Sequence, residues 1–178
     1  MPLLIIFIFI SFFWFFSHVS FLNFIALFLG LLLGSFFLDL DHLIYWLYLN
    51  PGSEESRLAK ITLEKKDLRS LFKLLESTHQ QHVNLIFHHY FFQIIMALFS
   101  LFIFTSSNNP FAMAFLLALN IHLLVDEISD FKRDKKHLQD WLFARESKQL
   151  SLNYLSYYIA IFVFLTLIFT WLLLKSTV

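Results

Sequence analysis

Three carboxylates, Asp39, Asp41 and Asp126, lie at the ends of apolar stretches, and each has a histidine nearby. Asp39 and His42 are three residues apart and His122 and Asp126 are four apart, so each pair shares one face of a helix. These stretches contain no lysine or arginine, and a carboxylate deep in a membrane costs about 2.5–3.5 kcal/mol. A divalent cation held by imidazole and carboxylate groups would offset that cost. We therefore predict that Asp39, His42, His122 and Asp126 are metal ligands.

The position of Asp41 depends on the local backbone. On a regular helix it lies about 200° around the axis from Asp39, so it joins the same site only if the backbone departs from a helix there. A spare carboxylate or imidazole beside a metal can accept a proton from a water molecule. Asp41 and His89 are our candidates for that general base.

More histidines follow Thr78 in the segment THQQHVNLIFHH. On a continuous helix His82 and His89 share a face and His79 lies near it, while His88 points elsewhere. We expect His82 and His88 to complete the ligand set of the metal. The sequence leaves open which of the histidines in this segment turn toward the site.

The composition shows what kind of protein must position these groups. The chain has 178 residues, of which 58% are hydrophobic and only 15% are charged. Soluble domains are about 45–50% apolar and about 25% charged. The formal net charge is zero, which gives no electrostatic support for a nucleic-acid partner. Cysteine is absent, which excludes disulfides and thiolate metal sites. The composition therefore predicts an integral membrane protein whose partner is the lipid bilayer.

The apolar residues fall into five stretches that we predict to be transmembrane helices, since a span needs about 20 apolar residues. The predicted fold is an all-α, multi-pass single domain over residues 1–178. Two charged segments separate the spans and are predicted to be amphipathic and helical. The spans are residues 2–17, 20–38, 83–104, 110–126 and 154–174, and the charged segments are residues 51–81 and 127–153.

Charge distribution predicts the orientation of the spans. Each charged segment holds six of the thirteen lysines and arginines, which favours a cytoplasmic location for both segments. The N-terminus is then inside the cell and the C-terminus outside. With this topology Asp39, the segment from His82 to His89, and Asp126 all reach the cytoplasmic side of the cell membrane. We expect Glu127 and Asp130 to form a solvated helix end and His137 to lie on the surface.

Together these residues resemble the membrane-bound metal-dependent hydrolase family of bacteria and archaea, described as LexA-binding inner-membrane hydrolases. Leu38-Asp39-Leu40-Asp41-His42 is similar to the PDxDH element of that family, and the segment from His122 to Asp126 to its HxxxD element. Phe87-His88-His89 takes the place of the family's THS step, and His82 that of an earlier histidine. The resemblance covers about residues 18–130. An N-terminal histidine of the family corresponds to His18, which our topology puts on the opposite side and which we leave out of the site.

Three functions follow as hypotheses. The first, which the resemblance implies, is a membrane-embedded metal-dependent hydrolase that acts on a lipid or phosphate ester at the cytoplasmic interface. Its metal would be Zn, Mn or Fe, since histidine and aspartate suit all three. The second is a metal- or proton-coupled transporter lined by histidine and aspartate. The third is a structural membrane protein without catalysis.

Overall fold

The computed structural model describes residues 2–78 and 82–176, and all regular structure within these ranges is helical. Five apolar helices form a bundle, and shorter helices lie at one of its ends. The apolar helices are α1 (Pro2–Phe16), α2 (Phe21–Phe37), α6 (Tyr90–Ser106), α7 (Pro110–Arg133) and α9 (Leu155–Lys175). The shorter helices are α3 (Leu40–Ile44), which continues as a π-helical turn (Tyr45–Leu49), α4 (Glu54–Glu64), α5 (Leu68–Thr78), α8 (Lys135–Leu142) and a 3₁₀ turn (Leu152–Tyr154).

Three helical segments are long and apolar enough to cross a membrane: Phe21–Leu49, Pro110–Arg133 and Leu152–Lys175. Their outward side chains are suited to lipid, since Phe164 and Leu167 of α9 are 64% and 63% exposed. The other two apolar helices have 15 and 17 residues. At about 1.5 Å per residue they span about 23 and 26 Å, less than the hydrocarbon core of about 30 Å. Five spans therefore remain a prediction, and three candidate spans are established.

The third predicted span begins later than its apolar composition suggests. Residues 83–89 are outside the helix, and α6 starts only at Tyr90. The physical reason is a contact that the sequence pattern does not reveal: the N–H groups of Ile86 and Phe87 donate to the carboxylate of Asp41 instead of to helical carbonyls. A buried side chain thus holds this segment in a non-helical path that ends in a turn before α6.

The two charged segments are helical, but each is divided by a turn. Residues 51–81 contain two helices, α4 and α5, which are separated by a turn in which Lys66 has a positive φ of 54°. In the segment 127–153, the first residues extend α7 to Arg133. Asp134 then caps α8 by accepting hydrogen bonds from the N–H groups of Lys136 and His137.

Helices α2 and α7 run parallel and pack so closely that their backbones are in contact. A Cβ atom on Gly30 would lie 2.5 Å from the carbonyl oxygen of Phe111, and one on Gly34 would lie 2.5 Å from that of Phe115. The spacing of the two glycines is the small-residue pattern that brings membrane helices together. This approach fixes the end of α2, and with it Asp39, against the middle of α7.

The contacts between helices show which helix ends lie at each end of the bundle. The end of α1 lies beside the end of α9, where Trp14 donates a hydrogen bond to the carbonyl oxygen of Leu174 at 3.3 Å. The opposite end holds the ends of α2 and α7 and the start of α6. The predicted meeting of three histidine-bearing segments at one end of the bundle is therefore present in the fold.

Candidate metal centre

Three side chains at that end form a group that could hold a metal ion. His88, His122 and Asp126 each offer one ligand atom, and these atoms all lie within 4.8 Å of one another. His122 and Asp126 are one turn apart on α7, and the Nε2 atom of His122 lies 3.3 Å from Oδ2 of Asp126. His88 comes from the segment before α6, and its Nε2 lies 3.7 Å from the same oxygen. The sequence predicted all three as ligands.

Both histidines of this group are oriented through Nδ1. The Nδ1–H of His122 donates to the carbonyl oxygen of Ser35 at 2.8 Å, and Nδ1 of His88 lies 3.3 Å from Oδ2 of Asp41. Metal-binding histidines almost always have such a carbonyl or carboxylate partner on the ring nitrogen that faces away from the metal. Two imidazoles oriented in this way and one carboxylate fit a transition-metal ion.

Asp41 is completely buried and binds the segment before α6. Its Oδ1 accepts the N–H of Ile86 at 3.0 Å, and its Oδ2 accepts that of Phe87. It reaches this position because the helix breaks at Leu38 and Asp39, where hydrogen bonds span three residues and not four. The carboxylate is thus occupied by backbone donors, which favours a positioning role over the predicted role as general base.

Asp39 lies beside the group. Its Oδ1 is 3.7 Å from Nε2 of His122, and its side chain is 26% exposed. This places Asp39 within reach of a shared ion as a further ligand. The two aspartates contact different histidines of the group, since Asp39 lies beside His122 and Asp41 beside His88.

His42 and His82 form a neighbouring pair. Their Nδ1 atoms are 2.6 Å apart, so one ring donates an N–H to the other. Nε2 of His82 lies 3.3 Å from Oε2 of Glu55, and its ring stacks on Tyr45 with centroids 4.1 Å apart. The predicted set of six ligands is therefore divided: Asp39 lies beside the three-residue group, and His42 and His82 form a layer next to it.

His89 is not brought to the cluster, contrary to its predicted role as a general base. It is the N-cap of α6, and its Nδ1 accepts the N–H of Phe91 at 3.3 Å. Its ring lines a different cavity, together with Arg145 and Glu146. Burial lowers the pKa of His89, which keeps the imidazole neutral and able to accept this hydrogen bond. The structure thus gives His89 a capping contact outside the cluster.

The electrostatics of His88 follow from its two carboxylate neighbours. Burial alone would lower the pKa of His88, but its contacts with Asp126 and Asp41 outweigh burial and raise the pKa to about 9. The site is therefore one in which anionic side chains attract a positive charge to the position of His88. A metal cation in the group would supply that charge in place of a proton.

The predicted solvated helix end after Asp126 is instead part of the protein interior. Glu127 is completely buried, which contradicts the sequence expectation. Among the described residues neither of its carboxyl oxygens has a hydrogen-bond partner. Gln93 of α6, which lies near it, accepts a hydrogen bond from the hydroxyl of Tyr158 on α9. Because α7 continues seven residues beyond Asp126, the position after it faces α6 and α9 and not water.

Asp130 and His137 also lie closer to the cluster than expected. Asp130 accepts the indole N–H of Trp141 at 2.8 Å and lies 3.6 Å from Nε2 of His137. Both side chains line a cavity of about 20 Å³ that His82, His88, Asp126 and Trp141 also face. A cavity of this volume holds one water molecule. The turn between α7 and α8 brings Asp130 and His137 to the cavity beside the cluster. His137, predicted to lie on the surface, is therefore partly buried.

A wider opening of about 250 Å³ leads to the other side of the group. His122 and Asp126 line it together with Ser35 and the start of α1. His18 lies between α1 and α2, one full length of α2 away from the cluster, or about 26 Å for its 17 residues. Of the remaining histidines before α6, His79 lies outside the described residues.

Comparison of the chain with protein-family models, with curated protein sequences and with solved structures gave no match. The fold and site define a helical protein with candidate membrane spans and a group of side chains that could hold a metal.

Proposed function

We propose that this protein is a membrane-embedded metal-dependent hydrolase that acts on a lipid or phosphate ester at the cytoplasmic interface. The observation that carries the proposal is the group of His88, His122 and Asp126, whose ligand atoms lie within 4.8 Å of one another. The sequence resemblance to membrane-bound metal-dependent hydrolases points the same way. The cytoplasmic location follows from the basic residues of the two charged segments.

The types of ligand restrict which metal ions could bind. His88 and His122 would bind through Nε2, since Nδ1 of each ring faces Asp41 or the Ser35 carbonyl. Two imidazoles with Asp126, and with Asp39 beside them, suit Zn, Mn or Fe. When bound, such an ion lowers the pKa of a coordinated water and polarises the bond to be cleaved.

The small cavity beside the group suggests how the chain handles the proton of a water nucleophile. His82 lines this cavity, and its ring is placed between His42 and the Glu55 carboxylate. Both ring nitrogens of His82 already face partners, so His82 cannot take a proton from water directly. It can pass one on, because a proton received at Nδ1 from His42 allows the proton on Nε2 to leave to Glu55. We assign His82 to this relay. Glu55, whose side chain is 18% exposed, leads from His82 toward solvent.

The test is the metal content of the purified, detergent-solubilised protein. Wild type is expected to hold metal in a fixed ratio, and His122→Ala and Asp39→Ala are expected to lose it. His18→Ala is the matched control, because His18 lies at the opposite end of the bundle and should not affect binding. A well-folded wild type without metal after purification and metal reloading would overturn the proposal.

Activity then separates hydrolysis from binding alone. Metal-loaded wild type is expected to release phosphate or fatty acid from lipid vesicles, and His82→Gln is expected to slow that release while keeping the metal. If His82→Gln lost the metal as well, His82 would be a ligand, as the sequence first predicted.

The transporter hypothesis finds less support in the bundle. Buried polar side chains are present at Gln93 and, two turns further along α6, at Ser100. The Ser100 hydroxyl accepts a hydrogen bond from the Asn120 amide at 2.9 Å. Beyond it the described interior is closed by Phe104 and Phe169, whose rings stack at 4.9 Å. A pathway for ions would need polar side chains across the whole bilayer. Metal flux into proteoliposomes would nevertheless favour this alternative.

A further inference from the structure

An apolar cavity lies next to the candidate metal centre, between the end of the second membrane helix and α5. Its volume is about 290 Å³, close to the lower end of the range of about 300–1,000 Å³ for ligand pockets. Leu43 and Trp46 form one wall, and Leu71 and Leu75 of α5 form the other. Asp39 is the one charged residue among the described lining residues.

The position of Asp39 connects the cavity to the chemistry. Asp39 lines the cavity, and its Oδ1 lies 3.7 Å from Nε2 of His122. A molecule in the cavity would therefore have its apolar part between α3 and α5 and one end beside the proposed metal ligands. This is the arrangement that an amphiphile requires.

The lining excludes a polar occupant. A polar molecule would lose its hydrogen bonds to water and meet mostly aliphatic and aromatic side chains in return, and an unpaired buried polar group costs about 1–3 kcal/mol on protein scales. The rim is apolar too: Phe36 and Leu40 on one side and Leu68 and Phe72 on the other are each between 44% and 61% exposed. Hydrocarbon can cross such a rim without desolvating polar groups.

The cavity lies at one end of a candidate membrane span. The helical segment Phe21–Leu49 has 29 residues, more than the about 20 that cross a bilayer. Its last part forms the cavity wall, and a lipid chain would reach it from the adjacent membrane interface. Helix α4 packs against that part through Ser56, whose hydroxyl donates to the carbonyl oxygen of Asn50 at 2.7 Å. This contact holds the α4–α5 pair over the cavity.

We infer that this cavity binds one hydrocarbon chain of a membrane lipid and places the head group at Asp39 and His122. The inference rests on the proposed function for its catalytic meaning, and it names the substrate class as a lipid with at least one unbranched acyl chain. Leu43, Trp46, Leu71 and Leu75 would then determine the accepted chain length.

The test uses a phosphatidic acid with a diazirine on one acyl chain, incorporated into phosphatidylcholine vesicles with the full-length protein. After illumination, labelled residues are mapped by peptide mass spectrometry. We expect labelling at Leu71, Leu75 and Leu43 in wild type, and its loss in Leu71→Trp, which fills the cavity. Ile61→Trp on α4 is the matched control: Ile61 is exposed and outside the cavity lining, so labelling should persist.

Lipid-facing residues of α9 provide an internal reference, since Leu167 contacts bulk lipid whatever the state of the cavity. Equal labelling of α5 in wild type and Leu71→Trp, relative to Leu167, would overturn the inference. Leu75→Trp serves as a second cavity-filling variant if Leu71→Trp does not fold.

Metal content, measured on the same samples, separates this inference from the proposed function. Metal without cavity labelling would overturn the lipid inference and leave the metal centre intact. Cavity labelling without metal would support lipid binding and overturn the hydrolase. Retention of metal in Leu71→Trp, with loss of labelling, is the expected result.

Discussion

The imidazole of His122 is oriented by the backbone of Ser35, since its Nδ1–H donates to the Ser35 carbonyl oxygen at 2.8 Å. Helix α2 thus determines which nitrogen of a histidine on α7 faces Asp126 and Asp39. The contact depends on the close approach of the two helices at Gly34, one residue before Ser35. Helix packing and the candidate metal centre are therefore one structural unit.

This relationship predicts the result of replacing His122 by asparagine. The asparagine amide can still donate to the Ser35 carbonyl, but it lacks an atom at the position of Nε2. We expect the free energy of unfolding of His122→Asn to stay within about 1 kcal/mol of wild type. Its metal affinity should fall by more than about 10–100-fold, which is the loss typical when a residue that only orients a ligand is changed. Metal titration and thermal unfolding in detergent measure the two quantities. Unchanged affinity would remove His122 from the site.

Asp41→Asn separates a positioning role from a catalytic one. An amide in place of the carboxylate leaves one of the Ile86 and Phe87 N–H donors facing an NH₂ group, which costs about 1–3 kcal/mol. It also weakens the partner of His88, so we expect metal affinity to fall about 10–100-fold.

The contrasting outcome for Asp41 is equally clear. If Asp41 were the general base, Asp41→Asn would keep the metal affinity and lower only the rate of hydrolysis at saturating metal. Metal titration followed by a rate measurement on the loaded protein distinguishes the two roles.

The sequence was a good guide to residue types and a weaker one to local backbone. Charged residues in apolar stretches are costly, so Asp39, His122 and Asp126 were recognisable as candidate site residues from their surroundings alone. The meeting of their segments at one end followed from counting spans. Apolar periodicity could not show that a buried aspartate would hold residues 83–89 out of a helix, because that depends on a contact between Asp41 and Ile86, which are 45 residues apart.

The errors around Glu127 and His89 have physical causes of the same kind. Glu127 was expected in water because charged residues follow it, but α7 continues to Arg133 and turns Glu127 inward. His89 was expected to be a general base because it is a spare imidazole near the predicted ligands, whereas it caps α6. A signal that could have been used is the glycine pair Gly30 and Gly34, whose spacing indicates a helix contact.

Gly34→Val tests that helix contact. A Cβ at Gly34 would lie 2.5 Å from the Phe115 carbonyl oxygen and 2.7 Å from Cβ of Ala118, so the helices must separate. Overpacking of this kind costs about 1–3 kcal/mol, and Ser35 would move away from His122. We expect a lower melting temperature and weaker metal binding in the same variant.

Gly52→Val is the matched control for the glycine substitution. No atom lies within 4 Å of a Cβ built on Gly52, so this variant should melt and bind metal as wild type does. Equal behaviour of Gly34→Val and Gly52→Val would show that close contact between α2 and α7 is not required.

The start of α5 predicts a pH dependence for the wall of the apolar cavity. Asp67 caps α5 by accepting hydrogen bonds from the hydroxyl and the N–H of Ser70, and these bonds lower the pKa of Asp67 below its ordinary value of 3.8. A lowered pKa means that the carboxylate stabilises the folded helix above pH 3.8, and that this contribution is lost as the pH falls through the lowered value. We expect the hydrogen-exchange protection of the α5 amides to decrease over that acidic range.

Two variants at Asp67 isolate this cap from other acid effects. Asp67→Ala should lower α5 protection already at neutral pH, because the cap is absent. Asp67→Asn should keep the cap, since asparagine also caps helices, but its protection should no longer depend on pH in this range. If acid lowered the protection of α5 equally in wild type and in Asp67→Asn, a group other than Asp67 would be responsible. If α5 forms the wall of a lipid-chain site, Asp67→Ala should also reduce photolabelling at Leu71, whereas Asp67→Asn should preserve it at neutral pH.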